Sequence, residues 1–193
     1  MLKQIEKHKA IAIPVSFTDG KLRFLTVRDR RFKEWIFVTG GCRKREVFSP
    51  IKCALRELEE ETRGVVILKK GHYSTFTFHS KNRSPEELEK DKKNGVDITS
   101  VYHVFIFVFD IPVTVQQTII TKFYDEKSKT DLRKIHRLPI KRTFDENDLI
   151  SFDTLEEFNS KNRWSLIVDN IVNNPKFQCA LHSSNRQSFN ILK

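Results

Sequence analysis

Apolar residues fall into short runs divided by charged turns, and the spacing inside each run points to an element. "AIAIPVSF" and "LRFLTVRD" are strand-like, and the Asp-Gly pair of the intervening "TDGK" predicts a hairpin. "EWIFVTGG" reads as a third short strand closed by two glycines. From Ile51 the apolar positions are 51, 54, 55 and 58, which is helical spacing. Ser49 suits the N-cap of that helix, Pro50 its first position and Gly64 its end. "VVILKK" and "HYSTFTFHS" then read as strands. The polar "KNRSPEELEKDKKNGVD" predicts an exposed excursion with a short helical turn. "SVYHVFIFVFDIPV" has the strongest strand pattern and belongs in the middle of a sheet. "KSKTDLRKIHRLPIKR" is a basic stretch, "DLISF" a last strand, and "DTLEEFNS" and "SKNRWSLIVDNIVNN" are helices, with weak patterning after Pro175. This order predicts a mixed α/β fold with helices packed on a sheet.

The 193 residues fit one domain, with a polar insertion at about 80–98 and C-terminal helices and tail at about 153–193. With 38% hydrophobic residues and sixteen phenylalanines, the chain is too apolar for disorder. Its longest apolar run is broken by His103 and Asp110 and is too short to span a membrane. The charged start, "MLKQIEKHKA", shows no secretory pattern. Cys42, Cys53 and Cys179 form no CxxC pair, and the six histidines no HExxH. A disulfide framework and a zinc site are therefore not expected, the expected compartment is the cytoplasm, and any metal should be held by oxygen. The net charge of +10 points to an anionic partner.

Against that basic background, "RELEEETRG" is acidic. An α-helix turns about 100° per residue, so Glu57, Glu60 and Glu61 share one arc. Ile51, Ala54, Leu55, Leu58 and Thr62 share the neighbouring arc, which can dock on a sheet, and Glu59 points elsewhere. Three converging carboxylates are costly unless a cation or a shared proton is present. Oxygen donors on a rigid helix suit Mg²⁺ or Mn²⁺.

Residues 40–65 resemble the Nudix hydrolase signature, G-x5-E-x7-R-E-U-x-E-E-x-G-U with U aliphatic. Gly40, Glu46, Arg56, Glu57, Leu58, Glu60, Glu61, Gly64 and Val65 fill its positions. The match departs from the pattern in two places. Nine residues, not seven, separate Glu46 from Arg56, and two residues, Thr62 and Arg63, precede Gly64 instead of one. The resemblance implies an α/β/α sandwich with a mixed central sheet and a loop-helix-loop metal site. It also implies that Glu57, Glu60 and Glu61 ligate Mg²⁺ or Mn²⁺, that Arg56 orients a glutamate, that Glu46 braces the loop, and that Gly40 and Gly41 let backbone approach the site. Glu146, just before the last strand, matches a family position that completes the metal site or acts as base, or else is a plain loop carboxylate.

The resemblance also implies hydrolysis of a diphosphate linked to another group. Arg28, Arg30, Arg31 and Lys33 precede the box, where the family often meets substrate phosphates. Residues 127–142, with Lys134 and Arg137, are a second basic surface suited to RNA or simply solvated. Phe24, Phe32, Tyr73 and Phe76 are stacking candidates, though most phenylalanines belong in a core. The stretched box and Lys/Asn/Ile-rich composition resemble the Nudix decapping enzymes of large DNA viruses, including mimivirus-, poxvirus- and asfarvirus-like ones. That implies removal of an mRNA cap, with capped RNA or another polyanionic diphosphate as partner. The alternatives are a hydrolase of diphosphoinositol polyphosphates or free nucleotides, and a silent RNA-binding Nudix module. Intact box carboxylates favour an enzyme.

Overall fold

The structure, a computed structural model, describes residues 2–68, 71–81, 85–182 and 187–188. Within these residues, eight strands form one mixed sheet. β1 (Lys3–Thr18) and β2 (Lys21–Asp29) are joined by Asp19 and Gly20, whose φ angles of 52° and 74° make the expected tight hairpin. The two strands pair only near this turn and then diverge. The segment carrying β3 (Trp35–Ile36) and β4 (Val38–Gly41) enters the gap, so β3 pairs with β2 and β4 with β1. On its other edge β1 runs parallel to β6 (Val96–Asp110) from Lys3 to Ser16. β5 (Ser74–Ser80) lies outside β6, β7 (Asn147–Asp153) pairs with β2, and the short β8 (Gln187–Ser188) pairs with the end of β6.

Side chains alternate between two packed layers. Ala10 and Ala12 of β1 and Phe105, Phe107 and Phe109 of β6 face α1 (Pro50–Glu61) and α3 (Val113–Ile135). Ile11, Ile13, Val15, Val104 and Ile106 face α4 (Leu155–Asn159), α5 (Ser165–Val172) and α6 (Pro175–Leu181). Helices therefore cover both faces, giving the expected α/β/α sandwich. α2 (Pro85–Lys93) is the expected helical turn of the polar excursion.

Three expectations need correction. The first strand is not confined to "AIAIPVSF" but runs for sixteen residues from Lys3, because its polar start, "KQIEKH", is held by backbone pairing with β6. No strand forms at 65–68, and residues 69–70 lie outside the described residues. There Val66 is pinned by its own N–H, which donates to Thr62 Oγ1 at 3.1 Å. α3 was not foreseen. Val113, Thr114, Val115, Thr118, Ile119, Ile120 and Thr121 are β-branched and favour strands locally, yet burial of Ile119 and Phe123 against the sheet decides for helix. Most of the basic stretch at 127–142 is the end of this helix, where Arg133 and Lys134 suit the helix dipole.

Candidate active site

β4 delivers Gly40 and Gly41 to the start of the box loop, and α1 carries the box carboxylates back beneath them. A Cβ placed on Gly40 would lie 1.8 Å from Glu57 Cδ and 2.2 Å from both its oxygens. Only glycine admits the carboxylate there. Ser49 stands at the N-cap position without a side-chain capping bond, and Pro50 opens the helix as expected. α1 ends at Glu61. Arg63 and Gly64 then take φ angles of 58° and 75°, and the Gly64 N–H donates to Glu59 O at 2.7 Å. The extra residue before Gly64 thus lies in the turn that closes the helix.

One guanidinium organises the carboxylates. Arg56 Nε and Nη2 donate to the two oxygens of Glu46, each at 2.8 Å. Its Nη1 donates to Glu57 Oε1 at 2.6 Å and to Glu60 Oε2 at 2.9 Å, while Nη2 also reaches Gly41 O at 3.0 Å. The hydrogen bond from Arg56, against the effect of burial, holds the Glu46 carboxyl at about 2. Glu46 also accepts the Arg43 N–H at 2.8 Å and so clips the box loop shut. Glu57, Glu60 and Glu61 are each only 8% exposed, whereas Glu59 lies outside their group and is half-buried. Burial pushes the Glu57 carboxyl up against the pull of Arg56. Burial pushes Glu61 well above the usual range, with Glu57 and Glu146 adding to it. Asn147 Nδ2, donating to Glu61 Oε2 at 3.1 Å, and a backbone bond at Thr39 act in the opposite sense.

Asn147 is placed by a residue the sequence pattern did not single out for the site. Arg63 is buried, its Nη2 donates to Asn147 O at 2.7 Å, and its cation lies 5.1 Å from the Phe123 ring. Glu146 precedes β7 and faces the box carboxylates. Burial pushes its carboxyl up, with the charges of Glu60 and Asp29 reinforcing the shift.

A cleft of about 650 Å³ opens beside these groups, lined by Thr39, Gly40, Gly41, Glu61, Glu146 and Asn147. The rest of its lining mixes apolar Phe32, Ile36, Trp164 and Leu166, of which Phe32 and Leu166 are 61% and 56% exposed, with charged Lys9, Asp29, Glu34 and Glu87. Trp164 is held by its N–H, which donates to Trp35 O at 3.0 Å. No periodicity marked Trp164, because this bond joins distant segments. Of the other stacking candidates, Phe24 and Phe76 are core residues, and Tyr73 packs on the edges of Phe105 and Phe107. The basic candidates sit in ion pairs. Arg28 forms a two-pronged pair with Asp148 at 2.9 Å, and Lys33 reaches the same carboxylate at 2.6 Å. Arg30 pairs with Asp145 and Asp131, Lys134 also pairs with Asp145, and Arg31 lies over Phe32.

Among the described residues, no group of three or more His, Cys, Asp or Glu side chains is arranged to hold a metal ion as it stands. Arg56 Nη1 instead bridges Glu57 and Glu60. The donors themselves fit a hard divalent cation: all are carboxylate oxygens, borne on a rigid helix, with Gly40 cleared for one of them.

A carboxylate-bearing helix packed under a mixed sheet, beside a cleft, defines an α/β/α protein with an acidic candidate site. The NUDIX domain profile matches residues 6–150, well over half of the chain. The chain belongs to the Nudix family, and with its box carboxylates complete it is a Nudix hydrolase. The NUDIX domain of Shewanella oneidensis NrtR complexed with ADP ribose is similar in fold, with a TM-score of 0.52 and 12% identity over 85% of this chain and 83% of that one. A C. elegans Ap4A hydrolase gives 0.50 and 12% over 92% and 99%. A bifunctional NMN adenylyltransferase/ADP ribose pyrophosphatase from Francisella tularensis gives 0.53 and 15% over 88% and 41%. At such identities these likenesses speak for the fold alone. No curated protein sequence matches the chain.

Proposed function

We propose that this hydrolase cleaves a nucleoside diphosphate from a second group in a reaction dependent on Mg²⁺ or Mn²⁺, and that capped RNA is its substrate. The observation that carries the reading is a cleft lined by Glu61 and Glu146 together with Phe32 and Trp164, with Glu57 and Glu60 held by Arg56 on the same helix as Glu61. Glu57, Glu60 and Glu61 would hold the cation. When bound, it supplies charge neutralisation for the diphosphate and acidifies a water. Arg56 holds Glu57 and Glu60 in place, and Asn147 holds Glu61. Glu146, on the cleft wall and off the helix, would accept the proton of the attacking water. Water adds across the P–O–P bond, so that one phosphate keeps the nucleoside and the other the second group. Phe32 and Trp164 offer flat faces for the base.

Two neighbours named for ADP ribose and one named for Ap4A fit the general class of compound. Capped RNA is favoured within that class by the +10 charge and by exposed Arg43, Lys44 and Arg45 beside the box. The test is a panel of capped RNA, free cap dinucleotide, ADP ribose, Ap4A and a diphosphoinositol polyphosphate, each with Mg²⁺ and with Mn²⁺. Metal-dependent release of a cap nucleoside diphosphate from RNA is expected. Cleavage confined to the small compounds would overturn the RNA assignment, and no cleavage at all would overturn the hydrolytic reading of the site.

A further inference from the structure

The box loop, residues 42–49, carries a feature that the hydrolytic site does not use. Phe48 is 91% exposed, and Arg43, Lys44 and Arg45 project into solvent beside it, with Lys52 exposed on the first turn of α1. The basic residues flanking the cleft at 28, 30 and 33 are held by carboxylates. Among the described residues, Lys44, Arg45 and Lys52 have no ion pair. Arg43 Nη2 lies 3.6 Å from Glu60 Oε1, which ties the first cation of the loop to the box carboxylates.

The loop is also pre-shaped. Glu46 turns inward to Arg56 and takes the Arg43 N–H, while the Glu46 and Val47 N–H groups both donate to Arg43 O. Ser49 N–H closes the next turn on Glu46 O at 2.9 Å. The charges are thus displayed on a fixed turn, which lowers the ordering cost of binding. An exposed ring beside three unpaired cations is the combination that holds single-stranded nucleic acid, with a base on the ring and phosphates on the cations.

We propose that residues 43–48, with Lys52, form a docking ledge for a single-stranded RNA segment attached to the diphosphate being cleaved. Phe48 stacks one base, and Lys44, Arg45 and Lys52 neutralise successive phosphates. Arg43 marks the end of the ledge nearest the box carboxylates. The proposal rests on the RNA reading above. It is tested by binding without turnover, so that failure of either is separately visible.

The experiment is fluorescence anisotropy of a labelled ten-nucleotide RNA with the full chain, titrated in metal-free buffer at several salt concentrations. The variants are Phe48→Ala, the double variant Lys44→Ser/Arg45→Ser, and Lys3→Ser/Lys7→Ser as a charge-matched control away from the loop. Phe48→Ala is expected to weaken binding roughly tenfold with the salt slope unchanged. The loop double variant is expected to lower the slope of log K against log salt by about 1.4, the value for two phosphate contacts on a single strand. The control should leave the slope near that of the unsubstituted chain. Unchanged binding in both loop variants, or an equal loss of slope in the control, overturns the proposal. A polyaspartate peptide of equal length that binds as tightly as the RNA, and loses as much with Phe48→Ala, overturns it in favour of an acidic protein partner.

Discussion

Glu61 is buried and burial pushes its carboxyl up, with hydrogen bonds from Asn147 and at the Thr39 backbone opposing the shift. A buried acid whose folded pKa is raised costs stability above its unfolded pKa, and that cost grows until the pH passes the folded value. Glu61→Gln is therefore expected to abolish turnover and yet to melt higher than the unsubstituted chain at neutral pH in metal-free buffer. Calorimetry alongside a product assay checks both halves, and retained hydrolysis would sink the site assignment. Asp148 has the opposite sign. Burial works to raise its pKa, but hydrogen bonds from Arg28 and Lys33 outweigh burial and hold it at about 2. The stability it contributes is fully present above its unfolded pKa near 4 and is lost as the pH falls through about 2. Asp148→Asn should cost on the order of 1–2 kcal/mol at neutral pH, allowing for screening at exposed Lys33, and should flatten the acid limb of the stability curve between about pH 4 and 2.

α1 shows why an element can need a partner outside itself. Gly40→Ala alters no helical residue, yet its Cβ would fall inside the Glu57 carboxylate. Activity should drop by at least about 100-fold while far-UV circular dichroism stays unchanged, since one displaced carboxylate removes charge from the site and no packing from the core. Preserved activity would mean that Glu57 has no part in the site. α1 was legible because its apolar and acidic residues obey one period, and the box gave each glutamate a role. α3 was illegible because the local preference of its β-branched residues contradicts the burial that decides its form. Phe123 is the strongest anchor of that helix, fully buried against the sheet and under Arg63. Phe123→Ala should cost about 3–5 kcal/mol by chemical denaturation. Asn147 and Trp164 were likewise invisible. Neither has a periodic signature, and each reaches the site only through pairing across the sheet: Asn147 opposite Asp29, and Trp164 bonded to Trp35.

At the scale of the whole molecule, the matched region stops at residue 150, but the sheet is not covered there. Phe158, Ile167, Val168, Ile171 and Phe177 come from α4, α5 and α6 and bury Ile11, Ile13, Phe24 and Phe37. A chain ending at Asp153 would keep every box residue and Glu146, yet expose a whole apolar sheet face. It is expected to be insoluble or to bind a hydrophobic dye strongly, whereas the full chain does not. Folding divides the +10 charge: the cations at 28, 30 and 33 pair with carboxylates, Arg43 lies against Glu60, and Lys44, Arg45 and Lys52 stay exposed with no ion pair among the described residues. The same two-layer construction has a further consequence through Trp164. The glutamates hang from the helix on one side of the sheet, while Trp164 and Leu166 enter the cleft from the segment that covers the other side. On the proposed reading, the bond-breaking carboxylates and the Trp164 side of the cleft therefore ride on separately encoded stretches of chain, while Phe32 and the box loop stay with the carboxylates. Grafting residues 155–181 from a relative with another preference would retune selectivity while the hydrolytic half is inherited intact, and descent within such a lineage could change substrates without passing through an inert intermediate.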